Sequence, residues 1–162
     1  MGQLKRKDFA HYFNTATSGD SKTWTLEGIG VEALSLAYNP QIDTFKQIID
    51  DVSSSTFDSY QIQSSISGKR IDKTDKIWSW LNEARKKAES IETQMLEVNM
   101  ASATTTGLSA SYEALQYEVL IVINEFLGEN ATISYDVYVK GKPTIGKATI
   151  SAGVPTFTES GD

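Results

Sequence analysis

Few residues of this 162-residue chain could do covalent or acid–base chemistry, and their spacing sets narrow limits on what that chemistry could be. The run Gly141, Lys142, Pro143, Thr144, Ile145, Gly146, Lys147 has the glycine and lysine spacing of a phosphate-binding loop. Ala148 stands where the magnesium-binding hydroxyl belongs, and a strand pattern follows where a helix N-terminus should receive the phosphate, so the run reads as a hairpin turn. Asp50 with Asp51, or Glu92 with Glu97, could share a proton or collect calcium, but the calcium-loop spacing with its glycine and terminal glutamate is missing, which leaves a solvated acidic face. The single histidine, His11, lies beside Tyr12 and Phe13 and reads as a packed or hydrogen-bonded structural residue. With no cysteine there is neither a disulfide framework nor a thiolate metal site. The expectation is therefore a non-enzymatic protein with no catalytic residue, cofactor or metal.

The three tryptophans are the remaining candidates for recognition, since indole faces stack on sugar rings. Trp80 has core-facing helical spacing, Trp24 sits near a Gly28, Gly30 turn, and Trp78 is left as the one candidate platform or subunit contact. The net charge is −6, with acidic residues scattered along the chain, and no basic stripe stands ready to displace the counterions of a nucleic acid. No apolar run approaches the ~20 residues that span a bilayer, and the basic start Lys5, Arg6, Lys7 leads into Asp8, so neither a membrane anchor nor a signal peptide is expected.

The elements that must carry these residues are mostly strands. In YEVLIVINEF, Tyr117, Val119, Ile121 and Ile123 share one face while Leu120 and Val122 take the other, as in a central strand covered on both sides. After a Gly128 to Asn130 turn, Ile133, Tyr135, Val137 and Val139 alternate with polar residues. A turn at Lys140 to Pro143, a strand from Thr144 to Ile150 and a short one at Thr156 to Thr158 complete a meander. Earlier, Leu34, Leu36 and Tyr38 share a face before the Asn39, Pro40 break, followed by Gln41 to Ile49 and by Tyr60, Ile62 and Ile66. Leu96, Val98 and Met100 form another strand. Asp50 to Asp58 reads as a mobile polar loop, and Ala101 to Ser111 as a second flexible stretch.

The helical pattern predicts one helix over 74–88, capped by Thr74 or Asp72, with Asp75 in the first turn, Lys86 and Lys87 at the carbonyl end, and Ile77, Trp80, Leu81 and Ala84 on the core face. The sum is one domain, mainly β: an antiparallel sandwich or half-barrel with a single flanking helix.

Taken in order, the opening LKRKDFAHYFNT, the Trp24 segment leading into GIGVEALSLAYNPQIDTF, the polar loop, the helix DKIWSWLNEARKKA and the closing YVKGKPTIGKATI resemble the tail-tube proteins of long-tailed phages of Gram-positive hosts. The resemblance spans nearly the whole chain and rests on layout. It implies a virion structural protein, made in the host cytoplasm, whose copies close into six-membered rings that stack around a DNA conduit. The implied partners are further copies of itself and the tape measure, distal tail and tail terminator proteins, with DNA passing through unbound. By the same analogy Asp50, Asp51, Val52, Ser53, Ser54, Ser55, Thr56, Phe57 and Asp58 would reach a neighbouring subunit, with arms at about 1–10 and 156–162 between rings. A conduit should repel DNA, so an acidic lumen is expected, with Asp43, Glu92 and Glu97 as its candidates.

Overall fold

The computed structural model of the chain covers only one face of the apolar 117–123 run. Tyr117, Val119 and Ile121 are buried, whereas Leu120 and Val122, expected to be covered on the other side, are half-buried among polar neighbours outside either core. The structure describes every residue except Met1, Lys5, Ser18, Asp20, Glu32, Ala33, Gly107, Leu108 and Asp162. A 3-10 turn at Arg6–Asp8 leads into β1 (Phe9–Asn14) and β2 (Trp24–Leu26). Then come β3 (Pro40–Phe45), β4 (Ser54–Tyr60), β5 (Gln63–Arg70) and the helix α1 (Lys76–Lys87). Three long strands, β6 (Ile91–Thr106), β7 (Ser109–Leu127) and β8 (Thr132–Ser151), and a last strand β9 (Val154–Glu159) close the chain.

All pairings are antiparallel, in the order β2-β1-β6-β7-β8-β5. β5 and β9 share the far edge of β8 end to end, β5 along Thr132 to Tyr138 and β9 along Gly146 to Ser151. The β9 end of the sheet curls round until it meets β2, giving a nearly closed half-barrel. β8 and β9 approach closely at Gly146, where a Cβ would clash with the Thr158 carbonyl and stand 2.6 Å from the Phe157 ring.

Inside the curl lie Tyr12, Trp24, Leu96, Val98, Ala114 and Ala148, with Phe157 of β9 packed against them. On the opposite face a larger core gathers Phe13, Ile66, Met95, Tyr117, Val119, Ile121, Ile133, Tyr135 and Val137 under α1, which contributes Ile77 and Leu81. Alternation along each strand divides these two sets: Met95 points to the helix side and Leu96 into the curl.

The helix obeys its sequence with a shifted start. Asp75 is the N-cap, accepting from Ile77 N at 3.0 Å, while Asp72 instead accepts from Thr74 N at 2.7 Å in the turn before it. Asp75 wins because only its side chain reaches the free amides of the first turn. Arg85, Lys86 and Lys87 stand at the carbonyl end, and Ala88 closes the helix in the left-handed conformation, φ 54°. Ile77, Leu81 and Ala84 are buried as expected, whereas Trp80 is half-buried, its ring 6.0 Å from that of Phe13.

Several expected loops are strand. β6 and β7 run through 101–106 and 109–111, so the threonine-rich stretch forms a paired hairpin, its residues 107 and 108 lying outside the described set. No turn divides β8 at Lys140 to Pro143. A bulge with Gly141 at φ 75° absorbs the extra residues opposite Gln116 to Glu118 and the strand continues, so the phosphate-loop-like run is neither a phosphate site nor a hairpin turn. Of the expected strand Leu34 to Tyr38 only an isolated bridge, Ala37 to Gln63, is formed. Gln41 to Ile49 is strand only as far as Phe45. The chain ends are less free than arms: Phe9 and Ala10 pair with β6, and Thr156 to Glu159 with β8, while Met1, Lys5 and Asp162 of those expected arms are outside the described residues.

Candidate assembly surfaces

Three features distinguish the surface: a detached hairpin, an aromatic cleft at its root, and an open polar sheet face. The hairpin is β3 and β4 with the tip 46–53, paired only with each other and making no extensive contact with the body. The expected loop Asp50 to Asp58 divides accordingly: Asp50, Asp51, Val52 and Ser53 lie in the tip, while Ser54, Ser55, Thr56, Phe57 and Asp58 are strand β4. Its apolar side chains are bare. Ile48, Ile49 and Val52 at the tip are 105%, 86% and 79% exposed, and Ile42, Phe45 and Phe57 are exposed along the strands. A two-stranded hairpin is marginal by itself in water, and its bare apolar side chains make it a candidate for cover by a partner.

At the hairpin's root Tyr60 packs against Phe57 (ring centroids 4.7 Å) and Tyr38 (5.6 Å). These rings form one wall of a cleft of about 610 Å³ whose other wall is Leu115, Tyr117, Val139 and Pro143, with Asp58 and Lys142 also lining it. The Tyr117 hydroxyl is buried and makes no hydrogen bond of good geometry. Burial, then the Glu97 carboxylate and the nearby Tyr38 hydroxyl, push its pKa well above the usual tyrosine range.

The segment leading into the hairpin is fixed by a buried polar cluster that the sequence reading missed. Lys69 is fully buried and donates to Glu27 Oε1 at 2.6 Å and to the Ile29 carbonyl. Its Nζ also lies 2.8 Å from Asp75 Oδ2, a charge contact outside hydrogen-bonding geometry, while Asp75 Oδ1 caps α1. Tyr135 OH donates to the second Glu27 oxygen at 2.7 Å. Desolvation holds the Glu27 carboxyl above its ordinary pKa despite the attraction of Lys69, and burial beside Glu27 raises Tyr135 well above its own. One cluster thus joins the strand β5, the helix start, β8 and the chain that leads out to the hairpin.

The open face is the continuation of the barrel's inner face beyond the curl. Across β6, β7 and β8 the register places Glu92, Leu120 and Tyr138 in one row and Gln94, Glu118 and Lys140 in the next. Lys140 pairs with Glu92 at 3.2 Å, and Gln94 bonds Glu118 at 3.1 Å and Asn14 at 2.8 Å. Asp136 belongs to this face. Although partial burial works against it, hydrogen bonds from Asn124, Ser65 and Tyr138 together lower its pKa. Glu125, moved by a bulge after Ile123 to sit opposite Ser134, adds another acid.

The three lumen candidates from sequence do not share a face. Asp43 lies on the detached hairpin. Glu92 is on the open polar face, but Glu97, an odd number of residues along an unbulged stretch of β6, points the other way. There it is half-buried and bonded to His11 Nε2 at 2.9 Å, so His11 is hydrogen-bonded as its setting suggested. Trp78 is not a free platform either: it stacks on Phe126 (6.1 Å, 14°), whose ring also lies 4.3 Å from the Arg85 guanidinium. Among the described residues no three His, Cys, Asp or Glu side chains are grouped as metal ligands would be, and no helix is long and apolar enough to cross a membrane.

No family model matches the sequence, and no curated protein matches it. In fold the chain is similar to a chain in the cryo-EM structure of the anti-feeding prophage baseplate, 6-fold symmetrised. The TM-score is 0.50 at 8% sequence identity, and the match covers 90% of this chain and 95% of that one. A likeness at that identity is one of fold: a mainly β half-barrel with one flanking helix, which is the architecture expected from the sequence.

Proposed function

We propose that this chain is a non-enzymatic structural subunit of a phage-type tail, whose copies close into six-membered rings that stack into a tube for DNA. The observation that carries the reading is the β3–β4 hairpin. It holds Ile42, Phe45, Ile48, Ile49, Val52 and Phe57 in water with no support from its own fold, a state that becomes stable when another copy covers it. Open edges on β2, β5 and the outer side of β9 leave backbone groups that closure into a ring would pair. The similar fold in a 6-fold symmetrised baseplate supports a ring of this size.

The polar face formed by Glu92, Glu118, Glu125 and Asp136, with Lys140 and the Gln116-bound Lys22 beside them, is the surface we assign to the lumen. An excess of carboxylates repels phosphate and lets DNA slide. In the virion the tape measure, distal tail and tail terminator proteins would meet the tube's bore and ends. Because the structural likeness is to a baseplate chain, a ring-forming component of the tail's end plate is the neighbouring reading, as is the inner tube of a contractile tail or bacteriocin. A monomeric sugar-binding sandwich loses its platform now that Trp78 is stacked on Phe126.

Electron microscopy of the purified protein at high concentration tests the proposal. Rings or stacked tubes are expected from the full chain, and folded monomers from a variant in which 46–53 is replaced by a two-residue turn. A full-length protein that stays monomeric under all conditions and is missing from the particle would refute it.

A further inference from the structure

The hairpin has two apolar ends, and the charged residues at one have opposites in sign at the other. Its tip presents Ile48, Ile49 and Val52 with Lys46, Asp50 and Asp51 around them. Its root opens the cleft of about 610 Å³ between Tyr38, Phe57 and Tyr60 on one side and Leu115, Val139 and Pro143 on the other. The cleft's charged residues are Lys142 and Asp58, so each has an opposite on the tip: Asp50 or Asp51 for the lysine, Lys46 for the aspartate. Tyr117 lines the same cleft, its hydroxyl buried near that of Tyr38.

A tip cannot fill its own cleft. The six residues of β3 lie between them, roughly 20 Å of extended chain at about 3.3 Å per residue. The ladder from Pro40–Tyr60 to Phe45–Ser54 holds that length open. We infer that the cleft at the root of the hairpin is the seat for the hairpin tip of the next copy, which brings its aliphatic residues against the aromatic wall and its charges opposite Lys142 and Asp58. The inference rests on the assembly proposed above and names the contact by which one copy holds the next. Because tip and seat are different surfaces, the contact is head-to-tail and propagates.

The chain has no cysteine, so a disulfide can report the contact without background. Ile49→Cys in the tip and Ser59→Cys in the cleft lining replace exposed residues. When the two single variants are mixed under mild oxidant in assembling conditions, a heterodimer is expected. The double variant should give a ladder of linked chains, since the two Cα atoms must come within about 7 Å. Ile49→Cys mixed with Glu83→Cys on α1 is the control and should stay unlinked. Lys142→Asp should abolish assembly and Asp51→Lys in the same chain should restore it. Tubes in the microscope with no tip-to-cleft disulfide above the control, or with Lys142→Asp assembling normally, would overturn this seat and leave the tube reading standing. Wild-type protein that never assembles would remove both.

Discussion

Replacing Lys69 by methionine takes the only cation out of a cluster that is otherwise two carboxylates and a phenol. Lys69, Glu27 and Asp75 have side chains 0%, 0% and 3% exposed, and the ammonium lies 2.6 and 2.8 Å from the two acids. Methionine keeps the length and much of the volume, so the loss is electrostatic rather than a cavity. Breaking a buried ion pair by removing one partner costs about 3–5 kcal/mol. At roughly 2–4 °C per kcal/mol for a domain of this size, the melting temperature at neutral pH should fall by roughly 6–20 °C. Glu27 already holds its proton more tightly folded than unfolded, chiefly through desolvation, and without Lys69 that excess grows. A carboxyl whose folded pKa is raised favours the folded state most when protonated, and that advantage disappears as pH rises through the folded pKa. The variant's deficit should therefore shrink as pH falls from neutral towards about 4.5, close to the ordinary glutamate value. Thermal unfolding followed by circular dichroism on dilute protein at several pH values measures this directly. Adding Glu27→Gln, which leaves Tyr135 an amide oxygen to bond, should recover part of the loss at neutral pH. A melting temperature equal to that of the parent, or a deficit of constant size between neutral and mildly acidic pH, would refute the view that this cluster is held by charge.

Leu81→Ala, at a fully buried helix position, should cost about 2–5 kcal/mol, and Trp80→Ala no more than about 3, because the half-buried indole leaves a gap that water can reach. Denaturant melts giving the reverse order would show the helix rotated from its described face. Gly146→Ala pushes a methyl into the Phe157 ring and the Thr158 carbonyl, so β9 should lift from β8. A loss of about 1–3 kcal/mol is expected, together with faster proteolysis near the C-terminal strand, and unchanged digestion would count against the tight crossing. Changing Glu92, Glu118 and Glu125 together to lysine should leave tubes visible in the microscope but slow DNA release, since each lysine near a phosphate gains about 1 kcal/mol even in water and the tube repeats it ring after ring. Release at the parental rate would mean that this face does not line the channel.

Local pattern alone determined much of this protein. The 117–123 run declared a strand, and its Tyr117, Val119 and Ile121 face lies in the larger core, although Leu120 and Val122 did not receive the cover expected for them. Ile77, Leu81 and Ala84 declared a helix with one buried stripe. Those signals survive because alternation and helical spacing are properties of neighbouring residues. What the sequence could not carry is parity across a bulge. Between Ile66 and Lys69, β5 holds one residue more than β8, so the lysine turns to the same side as the isoleucine and is buried, although strict alternation would have put it in water. The one-residue bulge after Ile123 has the same effect and carries Glu125 to the open face, while the irregularity at Gly141 adds two residues, keeps the parity and joins two expected strands into one. Partnership across the sheet is likewise a tertiary decision: Glu92 and Glu97 look alike in sequence, yet one meets Lys140 on the open face and the other His11 on the far side. A side chain's face is set by hydrogen-bond register with a strand far along the chain, and register comes into existence only when the sheet forms.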